Sequence, residues 1–167
     1  QHRDKMLALQ KKKEEYLASY EKLSEEEKRH KADERAKVVR EANDSMLDLA
    51  HLIGGFVVAK DLAPVSQILM KEFNAASERR RIREEKKNLE IRQNYYNGKA
   101  EKYEKDGKSA APVKAKAAEL QKKIDEKAAE LAKKEEELDT IREQIDEMRK
   151  QYADDPDFAK YEALRSA

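Results

Sequence analysis

Between Ala117 and Tyr152 apolar side chains recur at one fixed interval: Ala117, Ile124, Leu131, Leu138, Ile145 and Tyr152 stand seven residues apart. Leu120, Ile141 and Met148 fall three residues after members of that series, and Lys127 and Lys134 take the two remaining places. This a/d spacing puts the apolar groups on one narrow stripe of a helix, so the segment must bury a seam rather than one face of a broad core. The two lysines interrupt the seam at its middle, where a long stem lies along apolar surface while its ammonium reaches water. Acid-to-base pairs four residues apart, such as Glu119 with Lys123 and Asp146 with Lys150, support the same helix.

The rest of the chain is built alike. Asp, Glu, Lys and Arg make up 44% of the 167 residues and apolar residues only 38%, with four Gly and three Pro, which suits long helices with narrow contacts. A second stripe, Ile68, Ala75, Ile82, Leu89, Tyr96 and Tyr103, predicts a helix over about 64–105, with Pro64 in its first turn. The first helix is expected over about 4–58, in two registers. Met6, Leu9, Tyr16, Tyr20 and Leu23 form one stripe, and Val39, Ala42, Met46, Leu49, Ile53 and Phe56 the other. The spacing slips across the polar stretch from Ser24 to Arg35, which marks local over- or underwinding or a change of partner helix. The heptad helix spans about 113–153, and a short helix, 156–165, follows Asp155 and Pro156.

Turns near 60–63 and 106–111 fold these segments back on one another. The expected fold is all-α: one elongated element over 1–167, an antiparallel helical hairpin or three-helix bundle with coiled-coil packing, and a short C-terminal helix. Its length would be roughly 60–85 Å at the rise of an α-helix. Antiparallel pairing about the first turn sets Met46 near Ala76 and Tyr20 near Lys102 and Tyr103. Residues 61–116 are net basic and 117–167 net acidic, which favours pairing of the last two helices.

The stretch from Met46 to Phe73 is the apolar exception in a charged chain, and it holds the adjacent Gly54 and Gly55. Two glycines cost a helix about 1 kcal/mol each, so they suit a crowded junction where backbones approach or a helix bends. Met46, Leu49, Ile53, Phe56, Ile68 and Phe73 are therefore the candidate interface for a second copy or a protein partner, with internal packing of the corner as the competing use.

Basic groups concentrate in two places. Arg79, Arg80, Arg83 and Lys86 lie on the middle helix, and Lys108, Lys114 and Lys116 lie at or beside the second turn. They are candidate contacts for an anionic partner; the plainer reading is a solvated face that meets the acidic last helix. A net charge of +1 argues against undirected polyanion binding, and the tyrosines fall on packing stripes, so nucleic acid is disfavoured. The chain has no Cys, and His2, His30 and His51 have no partner at metal-ligand spacing. No phosphate loop or nucleophile motif occurs. No catalytic, cofactor or metal site is expected, and the chain reads as a non-enzyme. No apolar run nears the roughly 20 residues of a membrane span, and no signal pattern opens the chain, so a cytoplasmic location is expected.

Two functions remain. The first is a helical scaffold or tether that self-associates or docks a protein through the apolar corner 46–73. The second is membrane binding. Three long antiparallel helices, an apolar corner between the first two and a basic turn after the second give a layout that resembles the BAR superfamily. That resemblance implies curvature-sensitive binding through the basic face 79–87 and the basic tip 105–116.

Overall fold

The computed structural model describes the backbone of residues 2–56, 63–156 and 158–159, and the side chains of those outside 47–66. Among the described residues there is no strand. The helices are α1 (His2–Tyr20), α2 (Glu25–His30), α3 (Ala32–Phe56), α4 (Ala63–Lys105) and α5 (Ala111–Gln151). The expected turn at 60–63 lies almost wholly outside the described residues, as does most of the expected helix 156–165. At that end Asp155 accepts the backbone N–H of Phe158 on its carboxylate at 3.4 Å.

The helix α4 is the spine of the molecule. Its 43 residues span about 64 Å. It stops where Gly107 takes φ of +68°, a left-handed conformation that a side chain would strain. There the Lys108 N–H reaches the Tyr103 carbonyl at 2.8 Å and the Gly107 N–H reaches Glu104 at 3.2 Å, a paired C-cap that satisfies the last carbonyls. A Pro in the first turn of α5 then restarts the helix, because a missing N–H costs nothing there.

The long pair α4–α5 packs antiparallel. Ala117, Ile124, Leu138, Ile141 and Ile145 of α5 are buried. Leu138, Ile141 and Ile145 join Leu69 and Ala75 of α4 and Phe158 in one cluster. Beside this seam runs a polar ladder. Lys127 bonds Glu85 at 2.6 Å, Lys134 bonds Glu78, Gln93 bonds Gln121 at 2.5 Å, and Arg142 meets Glu72 at 3.5 Å. The lysines that interrupt the apolar stripe thus reach across to glutamates of α4. The Lys127 and Lys134 pairs keep water access and contribute about 0–1 kcal/mol each, so they set register more than stability.

The helix α3 lies antiparallel on another side of α4. The Arg35 guanidinium is paired with Glu84, Arg92 bonds Asp33 at 2.7 Å, and the Asn88 amide donates to the Ala32 carbonyl at 3.4 Å.

The expected continuous helix 4–58 is corrected. It breaks after Tyr20, and α1 doubles back along α3, where the Gln10 amide donates to the Ala42 carbonyl at 3.0 Å. Ser24 causes the break: it sits in extended backbone (ψ 161°) and its hydroxyl accepts the Glu27 N–H, capping α2. Tyr20 consequently does not lie beside Lys102 and Tyr103. It is buried with Ala32 and Ile91, and its hydroxyl donates to the Lys28 carbonyl at 2.5 Å. The slip in spacing across 24–35 is therefore a change of direction.

Candidate interaction surfaces

The antiparallel order brings four segments to one end of the rod: the start of α1, the end of α3, the start of α4 and the end of α5. The largest apolar cluster of the described residues lies at this end, with Ile68, Ala76, Met148 and Tyr152 half-buried around it. Of the predicted interface, Ile68 and Phe73 are half-buried and Met46 is 36% exposed. Leu49, Ile53 and Phe56 have side chains outside the described residues. Leu7, 50% exposed, adds an apolar group that was not among the sequence candidates. Gln10 faces Ala42 across the α1–α3 pair, so Leu7 and Met46 stand at the same end of it. Leu7 is invisible to sequence reasoning because only the doubling back of α1 brings it there.

The basic candidates are scattered among partners. Arg83 meets Glu135 of α5 at 3.4 Å, Lys86 bonds Glu90 at 2.9 Å, and Lys114 is paired with Glu104. The Lys116 ammonium stands 5.4 Å from the Tyr96 ring. Lys108 is exposed in the connection between α4 and α5. Burial, with Arg83 and Arg142 nearby, presses the Arg79 guanidinium pKa down against the pull of Glu135 and Asp139. Burial beside Arg79 and Arg83 does the same to Arg80.

Two polar clusters escaped the sequence reading. In the first, Arg35 and Glu84 are almost enclosed, with side chains 9% and 16% exposed. Burial raises the Glu84 pKa although Arg35 pulls it down, so desolvation outweighs the ion pair. The available signal was Arg35 itself, a charge set among Ala32, Ala36, Val39 and Ala42, all buried on α3. In the second, the Arg29 guanidinium lies 4.5 Å from the Tyr95 ring centre and donates to the Tyr96 hydroxyl at 3.4 Å. That bond, with Lys116 and Arg92 nearby, lowers the Tyr96 phenol pKa. This cluster fastens α2 to α4.

Between α3, α4 and α5 lies an open groove of about 700 Å³, lined by Arg40, Asp44, Arg81, Glu84, Lys123 and Glu126 among others. Both signs of charge line it and the walls are long helix flanks, so it presents no focused field to a small ion. Among the described residues no three His, Asp or Glu side chains group as metal ligands. No helix among them is long and apolar enough to cross a membrane. Comparison with protein-family models, with curated proteins and with solved structures finds no match.

Proposed function

We propose that the chain is a non-catalytic helical scaffold or spacer, coiled-coil-like along α4–α5, that self-associates through its apolar end. One observation carries this reading: Met46 and Leu7, the large apolar side chains most open to water among the described residues, stand at one end of the α1–α3 pair, next to the most apolar stretch of the sequence. Exposed apolar groups gathered in one place are favoured contacts for another surface of the same kind. A spine of about 64 Å suits the work of holding attached parts at a distance.

Light scattering tests this. The wild-type chain is expected to be oligomeric at micromolar concentration. Met46→Glu is expected to disperse it with helicity unchanged, since the new carboxylate of a separated chain faces water. A monomeric wild-type chain overturns the proposal. The membrane reading has less support, because Arg83, Lys86 and Lys114 already have carboxylate partners. Its test is co-sedimentation with anionic vesicles at low and high salt.

A further inference from the structure

We propose that α1 is an exchangeable arm: the hinge at Ser24 straightens, and α1 of one copy packs on α3 of a second copy as it packs on its own. This rests on the reading that the chain self-associates, and it names the route.

The hinge carries the argument. The segment Glu21–Lys31, EKLSEEEKRHK, contains neither Gly nor Pro and is rich in good helix formers. Helical i to i−4 hydrogen bonds run up to its edge, from Glu21 to Leu17 at 3.1 Å, and resume with Lys28 to Ser24 at 2.9 Å. They continue from Lys31 to Glu27 at 3.0 Å and from Arg35 to Lys31 at 2.9 Å, on either side of a second, smaller break at Lys31, which leaves helical geometry (φ −99°, ψ 8°) between α2 and α3. The reversal is confined to Lys22 and Leu23, whose N–H groups turn to the i−3 carbonyls, and to Ser24 with its capped Glu27. Rotating Ser24 into the helical region joins α1 to α2, and a smaller adjustment at Lys31 makes one continuous helix through α1, α2 and α3. The sequence stripes are as compatible with that helix as with the folded arm.

The arm itself is peripheral. α3 is the main helix against which it packs, through a stripe of half-buried Met6, Leu9, Gln10, Tyr16 and Leu17 that ends in Tyr20, buried also against Ile91 of α4. On one face of α3 it reaches Ala42, which is fully buried, and bonds its carbonyl through Gln10. An arm that swings out leaves this face and its own stripe bare, and both find complementary surfaces on a second copy. Exchange therefore conserves the arm's contacts and changes only the hinge and whatever new surface the two copies share. It also sets Leu7 of one copy at the end of α3 that bears the other copy's Met46.

The chain has no native cysteine, so single-cysteine variants report which copy an arm touches. One variant carries Gln10→Cys, and the other Ala42→Cys or, one turn on and half-exposed, Ser45→Cys as the variant less able to disturb folding. The two are unfolded together, refolded and oxidised. Exchange predicts a disulfide between unlike chains. A dimeric mass with no such crosslink, while the double variant Gln10→Cys/Ser45→Cys closes within one chain, overturns exchange and leaves self-association standing. A monomeric mass at every concentration overturns both.

The hinge gives a second readout. Ser24→Ala removes the cap and favours the continuous helix, so dimerisation is expected to tighten roughly thirty-fold, about five-fold per hinge. Ser24→Pro fits the observed φ of −67° but is excluded from a helix interior, so dimerisation is expected to weaken at least about a hundred-fold. Dimer affinity unchanged in both variants overturns the hinge.

Discussion

Replacing the Arg35–Glu84 pair by apolar groups tests how α3 is held on α4. With side chains 9% and 16% exposed, neither charge is well solvated, and the Arg35 Nε has no hydrogen-bond partner. Removing one member of a fully buried pair costs about 3–5 kcal/mol, because the other charge stays desolvated. The residual exposure brings this nearer 3 kcal/mol for Arg35→Met and for Glu84→Leu. Removing both strands neither charge, so the double variant is expected within about 1 kcal/mol of wild type, with an interaction energy of several kcal/mol. Urea unfolding followed by circular dichroism supplies all four corners of the cycle. Additive losses would refute the argument, since they would mean that each charge is solvated without the other. The pH dependence has a definite sign. Burial raises Glu84 above its ordinary 4.5, so the folded state holds this proton where the unfolded chain has lost it. The stability it contributes is present below pH 4.5 and is lost as pH rises through the raised folded value. Glu84→Gln is expected to remove that fall from the stability-versus-pH curve.

Leu138→Ala is expected to cost about 3–4 kcal/mol and Leu131→Ala roughly half as much, because both hold the same heptad place but Leu138 is 0% exposed and Leu131 is half-buried. Equal losses in denaturant unfolding would contradict the packing. Lys134→Leu is expected to change stability by less than about 1 kcal/mol, since the freed Glu78 and Glu137 keep water access while the seam gains an apolar group. A loss above about 2 kcal/mol would give the ladder more energetic weight than its exposure allows. Burial pushes the Tyr20 phenol up to about 12, so folded-state stability is expected to fall as pH rises above 10, where an unfolded tyrosine ionises first. Tyr20→Phe flattens that slope and costs about 1 kcal/mol for the lost bond to Lys28. An unchanged slope in alkaline unfolding curves would contradict the placement of Tyr20.

The helical class was legible because seven-residue spacing has one structural meaning, and Ile124, Leu138 and Ile145 are indeed the buried side of α5. The turn at Gly107 was legible because a glycine readily takes the left-handed conformation that ends a helix and Pro112, a few residues on, suits the first turn of the next. The reversal after Tyr20 was not. Ser24 caps a helix only if the chain turns there, and the residues around it favour helix whether it turns or not. What depends on the reversal was lost with it: the partners of Tyr20, Ala32 and Ile91 in place of Lys102 and Tyr103, and the exposure of Leu7 beside the end of α3. Lys127 and Lys134 stood out as interruptions of a stripe, but their glutamate partners emerge only from the register of two antiparallel helices.

Small-angle scattering coupled to size-exclusion chromatography and light scattering tests the central claim most directly. A self-associating rod is expected to show at least twice the chain mass of 19.4 kDa and a maximum dimension above the roughly 64 Å of α4 alone, with both falling toward monomer values on dilution. A particle of single-chain mass at every concentration would contradict the account.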